Sequence, residues 1–460
     1  MPGTLEVVIL AAGQGTRMKS DLPKVLHLLG GKPLLSHVIS TAANLAPERI
    51  HVVYGHGGER VRAALVDAPV HWVEQAERLG TGHAVAQAMP GVGHDATVLV
   101  LYGDVPLVPA ATLASLCEQA ARDRLALLTV ELANPKGYGR ILRNDAGEVT
   151  AIVEEKDASD VQRQVREVNT GILAVPGYLL AGWLGRLRND NAQREYYLTD
   201  IVALAVADGV GVQAFAAANE DDVLGVNDKL QLAHLERVLQ RRQAEVLMRE
   251  GLTLADPARF DLRGTLDIGR DVMVDVGVVM EGRVRLADGV RVGANCYLRD
   301  VEIGPGTEVR PMSVLEEARI GSECHIGPFA RIRPGTVLAP HAHVGNFVEL
   351  KNAQVGEGSK INHLSYVGDT TMGRDVNIGA GTITCNYDGA NKHRTVIGDR
   401  VFVGSDTQLV APVTVHDDAT IGAGSTITRE APAGQLTLSR SPQKSIAGWK
   451  RPVKKPKSAG

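Results

Sequence analysis

Ile320-Gly321-Ser322-Glu323-Cys324-His325-Ile326-Gly327-Pro328-Phe329-Ala330-Arg331-Ile332 carries an aliphatic residue at every sixth position. Glycine follows the first two isoleucines, and a small side chain, Cys324 or Ala330, comes four positions on. The period continues outward through Leu338, Val344 and Leu350. An earlier register holds Ile268, Val274, Met280, Leu286, Val292 and Leu298, and a later one Ile397, Val403, Leu409, Val415, Ile421 and Ile427. Ordinary alternating strands do not sustain a six-residue period through three separate registers. The pattern predicts a left-handed parallel β-helix of hexapeptide repeats, one short strand per repeat, with the aliphatic residue inward and glycine at the bending corner. The repeat breaks at Cys385-Asn386-Tyr387-Asp388-Gly389-Ala390-Asn391-Lys392-His393-Arg394. A polar insertion between regular coils must leave the stack as a loop, and such loops commonly carry function.

A chain of 460 residues can bury two cores, and 50 glycines with only 4% aromatics suit an architecture of tight turns. A net charge of -4 leaves no strong nucleic-acid or acidic-membrane footprint. Cys117, Cys296, Cys324 and Cys385 are scattered without C-x-x-C spacing, which predicts free thiols. The absence of a secretory n-region and h-region and of a long apolar run predicts a soluble cytoplasmic protein.

Ahead of the repeats, Val7–Leu10, His51–Tyr54, Val98–Leu101 and Ala126–Val130 read as buried strands. Leu34–Leu45 and Thr112–Arg122 read as crossover helices, so a mostly parallel sheet covered on both faces is expected. Asp228–Glu250 reads as one amphipathic helix with Leu232, Leu235, Leu239 and Val246 near one face and Gly251 as its stop. The expected division is an α/β domain over 1–227, a linker helix over 228–250 and a β-helix domain over 251–460.

The first strand ends in Ala11-Ala12-Gly13-Gln14-Gly15-Thr16-Arg17-Met18. A strand entering a glycine-rich turn exposes backbone N–H groups to phosphate oxygens, although a lone G-x-G turn is weak evidence. Arg17 and Lys24 follow closely and suit phosphoryl transfer, where like charge is the chief obstacle. The strand Val98–Leu101 leads into Tyr102-Gly103-Asp104, placing a carboxylate where open α/β sheets bind ligands. An isolated aspartate there would read as a cap or turn residue; beside the upstream loop it reads as a Mg²⁺ ligand.

The stretch Leu10–Lys24, with Gln75, Gly80-Thr81-Gly82 and Tyr102-Gly103-Asp104, resembles the sugar-nucleotide pyrophosphorylases. Gly137-Tyr138-Gly139-Arg140-Ile141, Ile152-Val153-Glu154, Glu167-Val168-Asn169-Thr170-Gly171, Gly225-Val226-Asn227 and Asp256-Pro257-Ala258-Arg259-Phe260-Asp261 narrow this further. With the β-helix, they resemble the bacterial bifunctional uridyltransferase–acetyltransferases across essentially the whole chain. The resemblance implies a Rossmann-like nucleotidyltransferase fold in the first half. It implies that Leu10, Ala11, Ala12, Gly13, Gln75, Gly80 and Thr81 bind UTP and read uracil. Asp104 and Asn227 would hold Mg²⁺, and Arg17 and Lys24 would stabilise the transferring group. Tyr102, Gly103, Gly139, Glu154 and Asn169 would contact the acetylated sugar and ribose. Gln14 stands where some relatives carry lysine, which weakens one expected phosphate contact.

In the second half, His363 lies two positions after the inward Ile361 and is expected to face outward. An exposed histidine is usually only solvated, but acetyl transfer from a thioester to an amine needs a base that takes the amine's proton. Arg333 and Lys351 are cations suited to a sugar phosphate, and Asn377, Asn386 and Tyr387 suit sugar hydroxyls. The resemblance implies that His363 is the catalytic base, that Tyr366 contacts substrate, and that Ala380, Ser405, Ala423 and Arg440 lie along acetyl-CoA. It further implies a homotrimer with sites between β-helices. The product would be UDP-N-acetylglucosamine, a precursor of peptidoglycan and lipopolysaccharide. The basic stretch Gly448–Lys457 is either a solvated tail or a phosphate contact. A pyrophosphorylase with a merely structural β-helix, and a non-enzymatic scaffold, are the alternatives. The cations around His363 speak against the first, and the set Arg17, Lys24, Asp104 and Asn227 against the second.

Overall fold

The structure, a computed structural model, describes residues 4–13, 15–55 and 58–454. Gln14 and the end of the basic stretch lie outside the described residues. The chain forms two compact units, Met1–Gln243 and Ala244–Gly460. The boundary falls inside the helix Lys229–Arg249.

The first unit is built on a nine-stranded sheet. Thr97–Tyr102, Leu5–Leu10, Arg49–Gly55 and His71–Gln75 lie side by side and parallel. Val7, Ile9, Leu99 and Leu101 pack on one face, and Val8, Leu10, Val98 and Val100 on the other. Burial of both faces explains why these strands read as unbroken apolar runs. The expectation of a mostly parallel sheet needs correction at Glu167–Pro176, which is antiparallel to both Thr97–Tyr102 and Leu125–Glu131. Between Glu131 and Glu167 the chain makes the hairpin Arg140–Arg143 and Val149–Val153 and no crossover helix. A parallel return needs such a crossover, so the strand comes back antiparallel.

Below this sheet's core, Glu6 and His51 are both almost fully buried, with His51 Nε2 2.8 Å from Glu6 Oε2. The other carboxylate oxygen accepts the Gly93 N–H at 2.9 Å. Removing one partner strands a buried polar group. His51→Ala is therefore expected to lower unfolding stability by about 3 kcal/mol. The double change Glu6→Leu/His51→Leu should recover part of that in a denaturant titration. Additive losses would show that the two are not coupled.

The helix Lys229–Arg249 buries Leu235 among Met18, Leu29, Leu34 and Val226, with Leu232, Val238 and Leu239 half-buried beside it. Val246, expected on this stripe, is 49% exposed. That stripe is covered only within the first unit. Beyond Gln243, Ala244 and Leu247 turn into the second unit's core instead. Gly251 (φ 111°) ends the helix by donating to the Met248 carbonyl.

The second unit is a three-faced parallel β-helix. One face is a sheet of eleven short strands from Thr253–Leu254 to Leu436–Thr437, and a seventeen-stranded sheet supplies the other two. The aliphatic positions of all three registers are buried, Ile268 partly so. The registers restart because in some coils one corner is a residue shorter, so that the ladder partners Ile303 and Ile320 stand 17 residues apart where Ile320 and Leu338 stand 18 apart. Leu298 is followed by Ile303, Leu315 by Ile320, Leu350 by Val355 and Val367 by Met372. Asp300, Glu317, Asn352 and Asp369 turn those corners with φ between 46° and 51°. Cys296 and Cys324 fill inward positions, and all four cysteines are free. Burial pushes the Cys296 thiol up to about 11, so this group is an unreactive core filler.

Met372 pairs with Ile397 one coil later, so the residues between Cys385 and Thr395 leave the stack as the expected loop. The loop is ordered from within. The Asp388 carboxylate accepts the Asn391 and Ala390 N–H groups at 2.6 and 2.8 Å and pairs with His393 Nε2 at 2.7 Å. These contacts hold its carboxyl well below the usual range. None of the described helices is long and apolar enough to cross a membrane.

Candidate functional site

In the first unit, the Ala11 N–H donates to the Val53 carbonyl at 2.8 Å and the Gly103 N–H to the Leu10 carbonyl at 2.9 Å. These bonds pin the glycine-rich turn to the carboxyl end of the central strand. A cleft of about 710 Å³ opens there, lined by Leu10–Gly13, Lys24, Gln75, Gly80, Thr81, Tyr102, Asp104 and Asn227. Arg78 and Glu195 also line it; neither lies in a motif that would have flagged it.

At the base of the cleft, Lys24 Nζ donates to Asp104 Oδ2 and, at 3.3 Å, to Asn227 Oδ1. Asn227 is set by backbone bonds: the Val226 N–H donates to the Asp104 carbonyl at 2.8 Å, and the Asn227 N–H to Gln231 Oε1 at 2.8 Å. A carboxylate oxygen and an amide oxygen thus converge on one cation. Two hard oxygen donors facing a cleft fit Mg²⁺, which usually keeps waters and phosphate oxygens in its remaining positions. Among the described residues there is no cluster of three acidic, histidine or cysteine side chains that would hold a metal alone.

Burial, then the charges of Glu154 and Asp104, raise the Tyr102 hydroxyl well above its ordinary value. Glu154 is itself raised, chiefly by burial, against a 3.0 Å bond from the Thr199 hydroxyl. Gly139 lies against the Glu154 carboxylate and accepts the Asn169 N–H at 2.9 Å. Gly171 (φ 85°) leaves room for the Tyr102 ring, which a Cβ would strike. Tyr102, Gly139, Glu154 and Asn169 therefore form one neighbourhood. Arg17 does not join it: it sits exposed in the short turn Thr16–Met18, outside the cleft lining.

In the second unit, Val344, Ile361, Ile378, Val403 and Ile421 pair in succession. The residues two positions on therefore stack along one edge: Asn346, His363, Ala380, Ser405 and Ala423. Arg440 reaches back to this column, with Nη1 donating to the Ala423 carbonyl at 2.7 Å. His363 is exposed, and its Nδ1 lies 3.0 Å from Asn346 Oδ1. An amide oxygen can only accept, so Nδ1 carries the proton, and in the neutral ring the lone pair then stands on Nε2. Sequence reading missed Asn346 because the partner stands one coil away.

On the next face, Asn386 Nδ2 donates to Asp369 Oδ2 at 2.5 Å and to the Tyr366 hydroxyl at 3.5 Å. Burial works to raise the Asp369 carboxyl, but the Asn352 and Asn386 amides and the Lys351 and Lys392 ammonium groups outweigh it and hold it low. Lys351 is lowered, first by its contact with Lys392 and then by burial. Arg333 Nη1 pairs with Glu349 Oε1 at 2.7 Å. Tyr387 is exposed on the loop, and Asn377 lies on the His363 face beside Lys360. Among the described residues, no hydrogen bond joins His363 to Arg333 or Lys351.

Residues 7–168 match the MobA-like NTP transferase domain, and residues 394–429 match the bacterial transferase hexapeptide (six repeats). The bifunctional protein GlmU of Alkalilimnicola ehrlichii is 60% identical over 456 residues, covering 99% of this chain and 98% of that protein. That of an Azoarcus species is 62% identical over 450 residues, covering 98% and 100%. That of Marinobacter nauticus is 60% identical over 450 residues, covering 98% and 99%. Likeness of this extent, running through both the cleft and the β-helix, makes the chain a member of the bifunctional protein GlmU family.

Proposed function

We propose that the chain makes UDP-N-acetylglucosamine in two steps at two separate sites: a uridyltransferase domain over 1–227, and the β-helix that follows the helix of 228–250. The observation that supports this most is the pairing of two constellations in one chain. One is a phosphate-loop cleft based on Lys24, Asp104 and Asn227; the other is an edge column headed by His363.

At the β-helix, the amine of glucosamine-1-phosphate attacks the thioester carbonyl of acetyl-CoA. His363 Nε2 accepts the amine's proton as the C–N bond forms, and the C–S bond then breaks to release the thiol. Arg333 and Lys351 offer charge to the sugar phosphate, while Tyr366, Asn377, Asn386 and Tyr387 offer hydrogen bonds. Ala380, Ser405 and Ala423 form a smooth edge for the cofactor's arm, with Arg440 at its end.

In the first unit, an oxygen of N-acetylglucosamine-1-phosphate attacks the α-phosphorus of UTP and pyrophosphate leaves. The backbone N–H groups of Ala12 and Gly13 hold phosphate oxygens, and Lys24 offsets their charge; the exposed Arg17 would have to reach in. Asp104 and Asn227 would hold Mg²⁺, which when bound draws charge from the phosphate oxygens. Both substrates place the reaction in the cytoplasm. The exposure of His363 and Tyr387 supports assembly as a homotrimer in which a neighbouring chain walls the acetyl-transfer site.

Purified protein given UTP, acetyl-CoA, Mg²⁺ and glucosamine-1-phosphate is expected to yield UDP-N-acetylglucosamine and pyrophosphate, followed by chromatography. Product from N-acetylglucosamine-1-phosphate but none from glucosamine-1-phosphate would reduce the β-helix to a scaffold.

A further inference from the structure

Gln75 ends the strand His71–Gln75 inside the cleft and is 3% exposed. Its Nε2 stands 3.1 Å from the Gly80 carbonyl and 3.0 Å from His83 Nδ1. On the other side of the imidazole, Gln87 Nε2 stands 3.2 Å from His83 Nε2. An imidazole cannot accept at both nitrogens while neutral, so one of the two amides must face the ring with its oxygen. Turning Gln75 over would put its oxygen against the Gly80 carbonyl, two acceptors with no proton between them. The amide that turns is therefore that of Gln87, which meets no comparably close carbonyl; the nearest, that of His83 itself, is 3.4 Å away.

The chain of donors is then fixed. Gln75 gives both amide hydrogens, one to Gly80 and one to His83 Nδ1, and His83 Nε2–H donates to Gln87 Oε1. Gln75 Oε1 has no partner among the described residues and is not sealed from solvent. Gln75 therefore offers the cleft its acceptor oxygen and no donor.

We propose that His83 is the positioning residue that sets base preference. By accepting from Gln75 it locks the amide with its oxygen toward the cleft, favouring a pyrimidine with a ring N–H, such as uracil, over cytosine, whose corresponding nitrogen is bare. The inference rests on reading this cleft as the nucleoside triphosphate site. Without His83 Nδ1, one Gln75 hydrogen is unclaimed, and the amide gains freedom to meet either base.

The test compares kcat/KM for UTP and CTP in the whole protein. His83→Leu, of similar volume but without an acceptor, is expected to lower the UTP preference about tenfold or more. His83→Asn, whose Oδ1 takes the place of Nδ1, should keep the preference within a few-fold. An unchanged preference in His83→Leu overturns the proposal. Gln75→Ala separates the two levels: if it alters neither UTP nor CTP use, the reading of the cleft fails. If it collapses the preference while His83→Leu does not, only the role of His83 fails. Nitrogen-15 spectra of the unsubstituted protein add a check that needs no variant to fold. They should show the His83 proton on Nε2; a proton on Nδ1 overturns the proposal.

Discussion

His363→Ala is expected to reduce acetyl transfer about 10²–10⁴-fold, the usual contribution of a positioned base, while uridylyl transfer from supplied N-acetylglucosamine-1-phosphate stays near normal. The geometry gives the reason. His363 is exposed, so its removal leaves no cavity in the core, and the backbone ladder joining Asn346, His363 and their neighbours does not depend on the side chain. What is lost is one lone pair, on Nε2, held in place by the bond from Nδ1 to Asn346. Raising the pH in the assay should restore part of the rate as more amine loses its proton without help. Thiol release from acetyl-CoA measures the first activity and pyrophosphate release the second. Parallel loss of both in a folded variant would show that the two sites are not independent.

Asp104→Ala is expected to produce the opposite pattern, with uridylyl transfer falling at least about 10²-fold, or some 2.7 kcal/mol in the barrier, and acetyl transfer unchanged. The Asp104 carbonyl, which accepts the Val226 N–H, survives the substitution, so Asn227 keeps its backbone support. The loss therefore belongs to the carboxylate. That group is a partner of Lys24 and one of two oxygens suited to Mg²⁺. Asp104→Asn keeps an oxygen but no charge and should fall between the two. Retained activity in Asp104→Ala, with magnesium dependence intact, would remove the carboxylate from the reaction.

Much of this was legible in the sequence, for reasons that differ between the halves. The β-helix announces itself because its core is periodic, and Ile320, Ile326 and Ile332 would be inward in any fold that honours the spacing. The cleft was legible where chemistry is local, as in the turn at Ala11–Gly13 and the strand end at Asp104. Contacts across coils or between distant loops were not. Asn346 beside His363, Asp369 between Asn352 and Asn386, and His83 between two glutamines all depend on register rather than neighbourhood in the chain. The antiparallel strand Glu167–Pro176 was hidden for a related reason, since strand direction is decided by what lies between strands. Arg17 shows the converse: closeness to Lys24 in sequence did not bring it into the cleft lining.

The strand Lys360–His363 is the seventh of eleven on its face. Each rung of such a stack is tied only to the rungs directly above and below, so melting has to enter from a free end and travel inward. The histidine's rung has several closed rungs on either side. Amide exchange should be fast at Leu436–Thr437, slower coil by coil, and slowest near the middle, so that the edge bearing His363 is among the last parts of the prism to fray.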